Sequence, residues 1–192
     1  MRKEYHFPTA IYIEDLPNAV ELNRSLEEHI IKWSTQEPGL KKTNVKGWHS
    51  TNMIEKKEYY PLMLKILKVC EKIFEEEHLE NQPAMGNMWA NINGEKAYNK
   101  IHTHPNCFFS GTYYVKTPTP SAQLIVYDPR PGVNILMPRR KHMTLPSHLW
   151  KEVYFTPRAG QIIIFPSYIW HEVEPSESKE DRISIAFNIL QQ

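Results

Sequence analysis

The chain has 192 residues, 41% hydrophobic and 23% charged, with a net charge of +1 at pH 7. This length suits one domain with a buried core, and the near-neutral charge supplies no global attraction for nucleic acid or a membrane surface. No apolar run approaches a membrane span, no leader-like stretch follows Met1-Arg2-Lys3-Glu4, and two cysteines, Cys70 and Cys107, read as free thiols of a reducing cytoplasm.

Phe7 to Ile13 is apolar and β-prone and reads as a strand leading into a helix. Asp15-Leu16-Pro17-Asn18 carries the helix-start signal, and Leu22, Leu26, Ile30 and Trp33 follow at helical spacing. Glu37 to Ser50 reads as a loop in which His49, beside Trp48, is either an ordinary packed residue or a site contact. A second helix, about Tyr60 to His78, sets Leu62, Ile66, Leu67, Cys70, Ile73 and Phe74 on one side, to lie against a sheet, with Cys70 in the core. The remainder alternates strand-like runs with proline-rich turns; 15 prolines against 7 glycines suit a loop-rich β protein.

In that β region Met88 to Asn93 puts Trp89, Asn91 and Asn93 on one face. His102 and His104, two apart in Ile101-His102-Thr103-His104-Pro105, point to one side of an extended chain. Phe108 to Lys116 is a strand, with Cys107 at its entry, and Leu124 to Tyr127 is a buried strand ending in a turn at Asp128. Arg130 to Leu149 is long and irregular and includes the basic run Arg139 to His142; it reads as a lid or substrate-recognition segment, or as a solvated loop. Val153 to Phe155 joins the sheet, Pro157 to Gly160 turns, and Ile162 to Phe165 is a strand buried on both faces. His171 follows, then the solvated connection Glu174 to Asp181. The strand Arg182 to Ile189 carries Arg182, Ser184, Ala186 and Asn188 on one face and Ile183, Ile185 and Phe187 on the other.

A guanidinium on a mostly apolar strand needs a partner. It is either half of an internal salt bridge or the receptor for a bound carboxylate, which its planar fork suits. Two imidazoles projecting together, with a third from a distant strand, make a three-ligand metal site with open positions.

The order His102-Thr103-His104, then His171, then Arg182-Ile183-Ser184 resembles the Fe(II)/2-oxoglutarate-dependent oxygenases, in particular their prolyl-hydroxylase-like branch. The resemblance is strongest to a group of bacterial and phage proteins with His-x-His-Pro followed by Ser-Gly-x-Tyr-Tyr, here His102 to Pro105 and Ser110 to Tyr114, and it extends to Asn44 to Ser50. It implies a fold that is mainly β with flanking helices: a double-stranded β-helix, jelly-roll and cupin-like, with two N-terminal helices packed on the sheet. The expected organisation is one domain over 1–192, with helical support over 1–84 and the β-helix core over 85–190.

The resemblance also implies Fe(II) held by His102, His104 and His171, and 2-oxoglutarate bound by Arg182 and Ser184 together with Tyr114. For Asn91 two readings stay open: a hydrogen bond to the metal-end carboxylate of 2-oxoglutarate, or one to its own backbone. With O2 as the other co-substrate, the implied reaction hydroxylates a small-molecule or peptidyl substrate while 2-oxoglutarate is decarboxylated to succinate. The expected setting is the cytoplasm of a bacterial cell or of a phage-infected host, with no membrane partner. The basic run at 139–142 leaves nucleic acid open as a partner, and a homodimer is open as well.

The sequence departs from the family at His104, where the superfamily usually has Asp or Glu. Three histidines also suit zinc, copper or a three-histidine cupin-like dioxygenase that does not use 2-oxoglutarate, and a non-catalytic β-helix binding module is a third possibility. Asp128 is an alternative source of a carboxylate ligand. Arg182-x-Ser184 separates these readings, because it makes sense only if a dicarboxylate is bound.

Overall fold

The computed structural model describes residues 1–132 and 145–191. The elements run β1 (Tyr12–Asp15), α1 (Ala19–Gln36), β2 (Asn44–Val45), β3 (Trp48–His49), α2 (Tyr60–Glu76), β4 (Pro83–Asn93), β5 (Tyr98–His102), β6 (Phe109–Lys116), β7 (Leu124–Tyr127), β8 (Glu152–Phe155), β9 (Gln161–Pro166), β10 (His171–Val173) and β11 (Arg182–Gln191). They form a six-stranded sheet, β1-β9-β6-β11-β4-β3, and a five-stranded sheet, β2-β5-β10-β7-β8, with antiparallel pairings throughout. Two such sheets enclosing a cavity, with both helices on the outside of the larger one, make the expected jelly roll.

Strand alternation divides the molecule into two compartments. On β11, Ile183, Ile185, Phe187 and Ile189 join the core beneath the helices, which Leu26, Ile30 and Trp33 of α1 and Leu62, Ile66, Cys70, Ile73 and Phe74 of α2 complete. The other face of β11 carries Arg182, Ser184, Ala186 and Asn188 into the space between the sheets. There a smaller cluster of Tyr114, Leu124, Val126, Ile163, Phe165 and Ile169 closes the packing.

Three local expectations are corrected. The first strand is not Phe7 to Ile13 but Tyr12–Asp15, because its partners on β9 are only Gln161 to Ile164. The first helix starts at Ala19 rather than Asp15: Asp15 ends β1, where its carboxylate accepts from Arg158 (2.8 Å) and Gln161 (3.0 Å), and Asn18 precedes the helix at φ 54°. The stretch Glu37 to Ser50 is not merely a loop, since β2 pairs with β5 and β3 with β4. The Asn44 carboxamide ties its turn by accepting from the Lys42 N–H (2.8 Å) and donating to the carbonyls of Leu40 (3.1 Å) and Gly47 (2.8 Å).

The Ser110 to Tyr114 motif acquires a physical reading. Ser110 donates to Asn188 Oδ1 (2.7 Å), and Tyr113, on the helix-facing side of the sheet, donates to Asn23 of α1 (2.5 Å). A Cβ on Gly111 would run into the Phe187 ring and stand 2.8 Å from the Ile163 carbonyl, so only glycine lets β6 lie this close to its neighbours. The basic run at 139–142, and with it most of the segment read as a lid, lies outside the described residues. Among the described residues no helix is long and apolar enough to cross a membrane.

Candidate metal and co-substrate site

A cavity of about 440 Å3 opens between the sheets, and His102, His104, His171, Tyr114, Asn91, Arg182 and Ser184 all line it. One ligand atom from each of the three histidines lies within 4.8 Å of the other two. His104 Nε2 is 3.2 Å from His171 Nε2, and nitrogens bound side by side to one ion at about 2.1 Å stand about 3 Å apart.

The sheet orients these rings. His102 and His171 are paired residues of β5 and β10. Each Nδ1 faces a carbonyl two residues back, Lys100 O at 2.7 Å and Ile169 O at 2.9 Å. A carbonyl only accepts, so Nδ1 carries the proton and Nε2 keeps its lone pair for a metal. His104 lies beyond the end of β5, where its backbone N–H donates to Ser167 O (2.9 Å) and its ring stands against His171 and Trp89. Burial holds all three imidazoles below the usual histidine range, His171 down to about 3 and His104 to about 4, with His102 as a second cause in both; His102 itself is lowered by burial against a weaker opposing bond to Lys100 O. They are neutral at pH 7, the form that ligates.

Arg182 is 2% exposed and its Nε has no partner among the described residues, with only a long bond, 3.5 Å, from Nη1 to Ala122 O. The internal salt bridge left open by the sequence is therefore not what Arg182 makes among these residues. Its guanidinium carbon lies 5.7 Å from the centre of the Tyr114 ring, and burial pushes the Tyr114 hydroxyl up to about 12. Ser184 is the β-partner of both Tyr114 and Asn91. Asn91 is buried in mid-strand with Oδ1 unpartnered, so the alternative of a bond to its own backbone is not seen. An orphaned buried cation and an orphaned carboxamide in one cavity with three imidazoles fit an anionic ligand beside a metal.

Asp128 does not join this set. Its carboxylate is held by Arg130 at 2.5 Å and lines a different groove. Cys107 stays at the strand entry and Cys70 in the core. His49, left between two readings, lines the cavity: its ring stacks on Trp89 at 5.5 Å and 9°, and Trp89 stands against His104 at 5.6 Å. Its neighbour in the cavity wall, Lys42, has no local signal in the sequence.

A jelly roll holding a histidine triad and a buried arginine defines a class of non-haem metal enzymes. The family described as "Putative 2OG-Fe(II) oxygenase" matches residues 87–188, just over half of the chain, and the chain belongs to that family. A prolyl-4-hydroxylase from Pseudomonas putida has the same fold, with a TM-score of 0.68 at 15% identity over 96% of this chain and 94% of that one. A prolyl hydroxylase from Trichoplax adhaerens, solved with a hypoxia inducible factor peptide fragment, gives 0.63 at 12% over 94% and 83%. The epimerase SnoN, solved with Fe3+, alpha ketoglutarate and nogalamycin RO, gives 0.65 at 12% over 95% and 79%. No curated protein sequence matches the chain significantly. Fe(II) and 2-oxoglutarate are the cofactors of the family, and the three imidazoles are a donor set that could hold iron.

Proposed function

We propose that this chain is an Fe(II)- and 2-oxoglutarate-dependent dioxygenase that hydroxylates an organic substrate. His102, His104 and His171 hold the metal; Arg182, with Ser184 and Tyr114, holds the distal carboxylate of 2-oxoglutarate, and Asn91 bonds the carboxylate at the metal end. The observation that carries this reading is Arg182, a buried guanidinium with no carboxylate partner among the described residues, in the same cavity as three neutral imidazoles. A three-histidine centre that ignored 2-oxoglutarate would leave that charge without a counterpart.

Bound Fe(II) and 2-oxoglutarate supply the activation of O2 that side chains cannot, with 2-oxoglutarate decarboxylated to succinate as a C–H bond is hydroxylated. The chain orients and encloses. The Lys100 and Ile169 carbonyls keep the His102 and His171 lone pairs turned inward. Arg182 fixes the dicarboxylate by its far end, which sets the keto acid toward the triad, and the apolar wall of Leu124, Phe165 and Val173 limits water.

Metal-free protein would be loaded anaerobically with Fe(II) and then with 2-oxoglutarate, beside Arg182→Ala. The visible charge-transfer band of a chelated keto acid is expected in the wild type, with a far higher requirement for 2-oxoglutarate in the variant. Bound iron without a band would refute 2-oxoglutarate dependence and favour a three-histidine dioxygenase.

A further inference from the structure

The cavity is unusual in charge as well as in its ligands. Among the described residues it is lined by Lys42, Arg182, four histidines, amides and hydroxyls, and by no carboxylate. Other grooves of the molecule do present acids: Glu95, Glu174 and Glu177 in one, Glu4, Asp128 and Glu152 in another. The groove that adjoins the cavity through His104 and Pro105 again has no carboxylate among its described residues.

Lys42 is held in place through the backbone rather than through its side chain. The Asn44 carboxamide pins the backbone at Lys42, and the Lys100 N–H donates to Thr43 O (2.9 Å), so the segment is docked on β5 beside the triad. The ammonium has no ion-pair partner among the described residues and lies near enough to His49 to oppose its protonation. His49 turns Nδ1 to the Ser50 carbonyl (2.7 Å) and, stacked on Trp89, forms a flat wall against which the body of a ligand can lie.

The loaded site would carry excess positive charge. In the proposed complex the two carboxylates of 2-oxoglutarate balance Fe(II). A carboxylate ligand would have balanced Arg182 as well, but His104 occupies that position and is neutral, and Lys42 adds to the surplus. Lys42 is exposed at the rim of the cavity, so water screens part of its charge. With no carboxylate among the described lining residues, the surplus still favours an anion over a cation. We propose that the substrate is an organic anion whose carboxylate or phosphate pairs with Lys42, its body against His49 and Trp89 and its reacting carbon beside the triad. This inference rests on the dioxygenase reading above.

The test is anaerobic titration of the Fe(II) and 2-oxoglutarate complex with benzoate, phenyl phosphate and benzamide, which share a ring and differ in charge. The visible band and tryptophan fluorescence are followed together. At least one anion is expected to bind ~10-fold or more tightly than benzamide, and Lys42→Gln is expected to abolish the difference. Tighter phenyl phosphate identifies a phosphate, tighter benzoate a carboxylate. No preference over benzamide, a preference that survives Lys42→Gln, an equal fall in 2-oxoglutarate affinity in that variant, or an anion that merely displaces 2-oxoglutarate and bleaches the band would overturn the anion assignment and leave the dioxygenase reading standing. No band at the outset would overturn both.

Discussion

His102 and His171 are directly paired residues on adjacent antiparallel strands, with ring centres 4.3 Å apart. The pairing belongs to the backbone ladder, so removing one ring leaves the frame that presents the others. His171→Ala is expected to lower Fe(II) affinity at least ~100-fold, more than loss of an outer hydrogen-bond partner would cost, with an unchanged far-ultraviolet spectrum. Anaerobic Fe(II) titration checks this, and undiminished affinity would remove His171 from the metal site.

Arg182→Met separates stability from binding. A buried guanidinium with no carboxylate partner among the described residues destabilises the ligand-free chain, so the apolar replacement is expected to raise its Tm by roughly 2–8 °C. The same change should abolish the rise in Tm that 2-oxoglutarate and metal give the wild type. Thermal melts of both proteins, with and without ligand, decide the matter. A variant that keeps the ligand-induced rise contradicts the proposed clamp.

Gly111→Ala should be costly although it adds one methyl group, because that group meets the Phe187 ring and the Ile163 carbonyl. A loss of about 1–3 kcal/mol is expected from overpacking, read as a lower urea midpoint. Phe187→Leu, which withdraws the ring, should recover part of the loss in the double variant. Simple additivity would show that the two residues do not compete for space.

The two thiols should differ in reactivity. Cys70 is fully buried in α2, and burial pushes its thiol up to about 12, whereas Cys107 is partly exposed and is raised less by burial. One thiol per native chain is expected to react with an aromatic disulfide reagent at pH 8, and both after denaturation. Cys107→Ser should abolish the native reaction, and two rapidly reacting thiols in the wild type would place Cys70 outside the core.

Much of the architecture follows from local pattern. The alternation from Arg182 to Asn188 determines which side chains face the helices and which face the cavity, and the apolar spacing in α1 and α2 determines which stripe is buried, because both periods are properties of a few consecutive residues. The motif order places His102, His104, His171 and Arg182 in one site only through likeness to a family. The spacing alone does not bring residues this far apart in the chain together.

Cross-strand register is where the sequence stops. That Asn91 stands opposite Ser184 and His102 opposite His171, and that Tyr114 stands opposite Ser184 as well, depends on hydrogen bonds between segments far apart in the chain. The place of Asp15 likewise had to be seen in three dimensions: its helix-start signal is overridden by Arg158 and Gln161, which come from the other end of the chain. His49 and Lys42 are the fullest case. By sequence they sit in a polar stretch, and the pairing of β2 with β5 and of β3 with β4 makes them part of the cavity wall. The chain by itself determines which faces are apolar and which donors are available; the tertiary structure decides which donors meet, because that choice is made by pairing energies no single segment contains.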